Sequence, residues 1–151
     1  MMPDTDLIKL YSGRILELAS DIPLSEPLAS PMATVKRRSP LCGSTVTVDV
    51  VVTEGKITEY GQDVKACALG QASASIFARH VIGRTQSEIV TARDQLKAML
   101  VNDGPVPDLP FNDFETLLPA RDFKNRHASI LLALEATVDA FGEIESRTSY
   151  G

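Results

Sequence analysis

Two cysteines and a histidine are the residues of this 151-residue chain best suited to chemistry. Cys42 stands in Ser39-Pro40-Leu41-Cys42-Gly43-Ser44, and Cys67 in Lys65-Ala66-Cys67-Ala68-Leu69-Gly70. Pro40 stiffens the approach to the first thiol, and Gly43 lets the backbone come close to whatever the thiolate binds. Cys67 sits just before a predicted helix, where unpaired amides and the helix macrodipole favour thiolate over thiol. His127 adds an imidazole near the start of the last predicted helix. Together the three are possible donors to a soft metal. A plainer reading stands beside this one. Free cysteine is among the most buried residue types, and a lone helical histidine is more often a surface or hydrogen-bonded residue than a ligand. His80, mid-helix beside Arg79, is the weaker imidazole.

The elements that must position these groups follow from periodicity. From Ser44 to Thr53, Val46, Val48, Val50 and Val52 alternate with Thr45, Thr47 and Asp49, the pattern of a half-buried strand. Glu54-Gly55-Lys56 makes a tight turn into a second strand over Ile57 to Val64. The start of the first strand and the end of the second lie at one end of such a hairpin. Cys42 and Cys67 are each about twelve residues from the turn, so their sulfurs are expected to be neighbours despite 25 residues of separation.

Helices supply the rest. Leu7, Ile8, Tyr11, Ile15 and Leu18 predict a helix from Asp6 to Ala19, with Asp6 as N-cap. Pro23, Pro27, Pro31 and Pro40 mark an irregular connector ending in Lys36-Arg37-Arg38, a basic run that either docks an acidic partner or is simply solvated. Gly70 to Ile82 is rich in small residues, with Gly83 as its cap. Thr85-Gln86-Ser87-Glu88 is a capping box opening a helix with Ile89, Ala92, Leu96, Met99 and Leu100 on one stripe. A short helix is expected from Asn112 to Leu118 and a last one from Phe123 to Phe141, stopped by Gly142. The tail from 143 to 151 is expected to fray. Strands bunched together and helices bunched together predict an α+β fold. Its small antiparallel sheet, hairpin-based with about three strands, is packed on one face by helices, in one domain spanning 1–151.

Composition removes whole classes of function. The chain is 44% hydrophobic and 23% charged, the make-up of an ordinary globular protein. Fifteen basic against twenty acidic residues leave −5, unsuited to phosphate neutralisation, so no nucleic-acid partner is expected. Two cysteines make no disulfide framework and, so spaced, no C-x-x-C redox pair. No apolar run approaches the ~18 residues of a membrane span. The acidic start Met1 to Asp6 is unlike a secretory leader. The expectation is a cytoplasmic protein with free or metal-bound thiols. No glycine-rich phosphate loop, nucleophile elbow or H-E-x-x-H is present, so an enzyme is not expected.

The segment from Pro40 to Glu88 resembles the iron–sulfur cluster assembly scaffold family, the IscU, SufU and NifU N-terminal group. The motifs that carry it are Pro40-Leu41-Cys42-Gly43-Ser44, then Cys67, then Ala72-Ser73-Ala74-Ser75, then Gly83-Arg84-Thr85 with Glu88. Tyr11-Ser12 with Ile15-Leu16, Pro119-Ala120-Arg121 and Arg126-His127-Ala128-Ser129-Ile130-Leu131 extend the similarity over about residues 10 to 141. The resemblance implies iron or a labile [2Fe–2S] cluster held by Cys42, Cys67 and His127, and a cysteine desulfurase and other assembly proteins as partners. Two departures stand out. The family's aspartate after the first Cys-Gly is Ser44 here, a weaker ligand. Its third cysteine falls on Ala128 if His127 matches the family histidine, or on His127 itself if the alignment shifts by one. Zinc remains possible in such a site. The functions in play are therefore a cluster scaffold or carrier, a zinc-binding adaptor of the same fold, and a sulfur-relay protein.

Overall fold

The computed structural model describes residues 12–40 and 43–150, with side chains to Arg147. The elements are α1 Gly13–Ser20, β1 Ala33–Arg38, β2 Thr45–Thr53, β3 Lys56–Lys65, α2 Ala68–Ala78, α3 Gln86–Val101 and α4 His127–Tyr150. Two 3₁₀ segments, Asn112–Asp122 and Lys124–Arg126, lead into α4. The fold is α+β around a three-stranded antiparallel sheet of order β1-β2-β3.

The β2–β3 hairpin is built as its alternation requires. Glu54 and Gly55 both take positive φ, +53° and +76°, the turn whose twist matches the flanking strands. Val46, Val48 and Val50 are buried on the inner face, with α4 laid across β1 and β2 and backed by α2 and α3. The other side is served by the proline connector. Its Leu24 carbonyl accepts from the Gln62 N–H at the free edge of β3, and its Leu28 N–H donates to the buried Asp49 carboxylate. That contact protects an edge which would otherwise be open for pairing.

The capping box at Thr85 and Glu88 is complete in both directions, and Ile89, Ala92, Leu96, Met99 and Leu100 are the buried stripe of α3. Elsewhere the structure corrects the sequence reading. The expected irregular connector contains β1, which pairs with β2 from Ala33↔Val50 to Arg38↔Thr45. Its prolines all flank the strand, and its inward Arg37 pairs with Asp139 at 2.6 Å and Glu135 at 3.8 Å while staying partly exposed, with Lys36 and Arg38 exposed beside it.

Helix ends differ too. α1 starts at Gly13, after Ser12, whose backbone is extended and whose hydroxyl accepts from the Ile15 N–H; residues 6–11 of the expected helix lie outside the described residues. Asp6 lies outside the described residues. α2 ends at Ala78 rather than Ile82, and Gly83 instead ties back to the Ile57 carbonyl. The segment around Pro119 is 3₁₀ through Asp122. α4 begins at His127, not Phe123, and continues through Gly142. Burial of Ile144 (3% exposed) offsets the ~1 kcal/mol that a helical glycine costs.

Candidate functional site

Cys67 is the N-cap of α2, with its carbonyl accepting from the Gln71 N–H at 2.9 Å. Its side chain is half-buried and lies 3.6 Å from the hydroxyl of Ser129, which belongs to the first turn of α4. Ser129 in turn donates to the Ser44 hydroxyl at 3.0 Å. Cys67, Ser129 and Ser44 thus form one hydrogen-bonded chain joining α2, α4 and the start of β2. The register Thr45↔Lys65 puts Ser44 and Cys67 at the same end of the hairpin, as its geometry requires.

Ser129 can reach this position because Gly70 has no side chain. A Cβ there would meet the Ser129 hydroxyl oxygen at 2.5 Å and the Ala66 Cβ at 2.9 Å. α2 and α4 are held together a turn further on by Ser73, whose hydroxyl donates to the Ile130 carbonyl.

Burial alone would push the Cys67 thiol up. The Gly70 amide, the Ser129 hydroxyl, the Leu69 amide and the Arg126 guanidinium together outweigh it and bring the thiol below its ordinary value. The native fold therefore favours thiolate. That contribution to stability is complete above the unfolded pKa of about 8.5 and is lost as pH falls through the native one. Ser129→Ala removes the hydroxyl beside the sulfur, whose one proton turns from Ser44 to Cys67 when the thiol ionises, and is expected to move the midpoint of the Cys67 alkylation-rate profile upward. An unmoved midpoint in a folded variant would show that the hydroxyl does not act on the sulfur. The measurement is made in Cys42→Ala, so that one thiol is read.

His127 opens α4 and is 7% exposed, with Nε2 at 2.9 Å from the Ala120 carbonyl. A carbonyl only accepts, so Nε2 carries the proton and Nδ1 is the remaining donor atom. Ligating histidines are commonly fixed in this way by a carbonyl on the other nitrogen. The same bond also serves a purely structural role at the helix start. His127 stands two residues from Ser129, about 200° round the helix, and its bond is to Ala120 rather than to Cys67 or Ser44.

Cys42 lies outside the described residues. The backbone on either side of it is drawn together: Ser39 donates to the Ser44 carbonyl at 2.8 Å, and Gly43 donates to the Ser39 carbonyl at 3.0 Å. Among the described residues no group of three His, Cys, Asp or Glu side chains is close enough to hold a metal. Nor is any helix among them long and apolar enough to cross a membrane. Ser129, Gly70 and Arg126 were not singled out as site residues by the sequence reading. No local pattern marks Ser129, whose partner is 62 residues away in the chain.

A small antiparallel sheet with helices on its inner face and a thiolate-favouring cysteine at a helix start defines the class. No protein-family model matches the sequence, and no curated protein does. Among solved structures, a nitrogen-fixing NifU-like protein (N-terminal) from Brucella abortus is 45% identical. It covers 93% of this chain and 98% of that one, with a TM-score of 0.91. The chain belongs to the NifU-like N-terminal family, within the IscU, NifU and SufU scaffold group. Two more distant structures share the fold. One, from thermophilic Fervidobacterium islandicum AW-1, is described as an iron–sulfur cluster assembly scaffold for the SUF system. It is 18% identical over 89% of this chain and 98% of that one, with a TM-score of 0.80. The other, a hypothetical protein, is 22% identical over the same shares, 89% and 98%, with a TM-score of 0.76.

Proposed function

We propose that this protein is an iron–sulfur cluster assembly scaffold or carrier. It holds iron or a labile [2Fe–2S] unit as cargo on the thiolates of Cys42 and Cys67, with His127 and Ser44 as the weaker donors. Family membership supports the general role. The single observation that carries the site is Cys67: a half-buried sulfur at the start of α2, with its pKa lowered by the surrounding amides, Ser129 and Arg126.

The donors divide the work by their chemistry. Thiolates bind soft iron strongly, whereas a serine hydroxyl is a weak ligand. His127 offers Nδ1 while Ala120 holds the other nitrogen. A unit held by two thiolates and one imidazole keeps an incomplete ligand shell, which suits transfer to an acceptor. Sulfur comes from a cysteine desulfurase, and other assembly proteins receive the product. The work is done in the cytoplasm, without nucleic acid.

The test is iron and acid-labile sulfide content after anaerobic purification, for wild type, Cys42→Ala, Cys67→Ala, His127→Ala and Ser44→Ala. Near-equal iron and sulfide are expected, abolished in either cysteine variant and reduced in His127→Ala. Zinc alone, dependent on the same residues, would replace the carrier by a zinc-binding adaptor. A persulfide on one cysteine with no metal would make it a sulfur relay. No metal in any sample would sink the site.

A further inference from the structure

The two edges of the sheet are finished differently. β3 is closed by the proline connector, where the Gln62 N–H donates to the Leu24 carbonyl and a Cβ on Gly61 would strike the Glu26 carbonyl oxygen. β1 is the other edge of the β1-β2-β3 order. Ser39 donates to the Ser44 carbonyl at 2.8 Å, so by the antiparallel alternation Ala33, Val35 and Arg37 also turn their backbone groups to β2. Thr34, Lys36 and Arg38 turn theirs away from it. All three are exposed, and their outward N–H and C=O groups have no backbone partner among the described residues. An edge left in this state is a template for a further strand.

The side chains along this edge select what it can take. Arg37 points to α4, so Lys36 and Arg38 stand on the opposite face of the sheet. On the α4 side, β1, α3 and the first turns of α4 enclose a cleft of about 320 Å³. Leu131 and Leu132 give the cleft an apolar floor, and Lys97 and Val101, which is 54% exposed, line its α3 wall. Glu135 lines it too but is paired with Arg37 and Arg93, and Asp139 is paired with Arg37. Lys36, Arg38 and Lys97 make no ion pair among the described residues. This local positive charge belongs to a chain whose net charge is −5.

We propose that the β1 edge receives an extended segment of a partner protein in which acidic and apolar residues alternate, added as an antiparallel strand. The backbone of that segment bonds the outward groups of Thr34, Lys36 and Arg38. Its acidic side chains lie beside Lys36 and Arg38, where opposite charges across two strands attract. Its apolar side chains point the other way, by the strand period of two, and enter the cleft over Leu131 and beside Val101. A second copy of this chain is the wrong occupant, because β1 against β1 brings cations against cations. The inference uses neither metal nor cysteine, and it stands independently of the carrier reading.

The test uses a capped hexapeptide of alternating Glu and Val, matched to the six residues of β1, on the full chain. Fluorescence anisotropy should show saturable binding that weakens as salt rises. Amide hydrogen exchange should slow at Thr34, Lys36 and Arg38. In an antiparallel pair, residues directly opposite share a face, so the glutamate amides are the ones that bond β1. Methylating those amides should abolish binding, whereas methylating the valine amides should be tolerated. The double variant Lys36→Glu, Arg38→Glu should bind the peptide about tenfold or more weakly, the scale of losing a charge-assisted contact, and should gain affinity for an alternating Lys and Val peptide. It is compared only if its circular dichroism matches wild type, and the methylated peptides decide the matter without it. No saturable binding, indifference to which amides are methylated, or unslowed exchange at the three outward amides overturns the added strand. Binding that ignores the charge reversal overturns the acidic partner. A dimer in which those amides are already protected puts a second copy on the edge and overturns the proposal.

Discussion

Gly70→Val is expected to destabilise the protein by about 1–2 kcal/mol net and to raise the pKa of the Cys67 thiol. The added Cβ would sit 2.5 Å from the Ser129 hydroxyl oxygen, 2.9 Å from Ala66 and 3.2 Å from the Ser129 carbonyl oxygen. Overpacking of this kind costs about 1–3 kcal/mol. Replacing a helical glycine returns no more than about 1 kcal/mol of helix propensity, and a β-branched residue returns less, so the clash wins. α4 must then move off α2, and Ser129 with it. Gly70→Ala brings the same Cβ without branches and with more helix propensity, so its loss should be smaller. Urea unfolding together with the alkylation profile separates packing from chemistry. Normal stability and an unmoved midpoint in Gly70→Val would show that α2 and α4 are not in close contact here.

Phe77→Ala should be the most destabilising single change, at about 3–5 kcal/mol, the usual cost of emptying a buried aromatic site. Phe77 is fully buried. Its ring stacks on Phe111 at 5.5 Å and meets Tyr60 edge-on at 6.1 Å, so it joins α2 to β3 and to the loop before the 3₁₀ segment. For a chain of this size each kcal/mol lowers Tm by roughly 2–4 °C, so a fall of roughly 6–20 °C is expected. The change lies ten residues along α2 from Cys67, about 15 Å at helical rise. The thiol profile should therefore hold while the protein remains folded. A loss below 1 kcal/mol would mean the aromatic cluster is not packed as described.

What could be read from the chain was local. Alternating valines announced β2, Glu54-Gly55 announced the turn, and Thr85 with Glu88 announced α3, because strand period, turn conformation and caps each depend on neighbours a few residues apart. β1 escaped because an edge strand carrying Lys36, Arg37 and Arg38 has the pattern of a solvated loop. Only pairing with β2, and the α4 carboxylates that meet Arg37, make it a strand. Gly142 escaped for a similar reason, since burial of Ile144 carries the helix past a residue that would stop it in isolation. Cys42, Cys67, His127 and Ser44 were legible as candidate donors from residue type and resemblance alone. The surroundings of Cys67 were not, because its Ser129 contact spans 62 residues. Sequence by itself determined which candidate donors the chain offers, that the α2 start favours a thiolate, and that residue 44 carries a hydroxyl rather than a carboxylate. Tertiary structure decided that the first turn of α4 reaches Cys67, because contact at that range depends on how closely two helices pack, and here the missing side chain of Gly70 permits it.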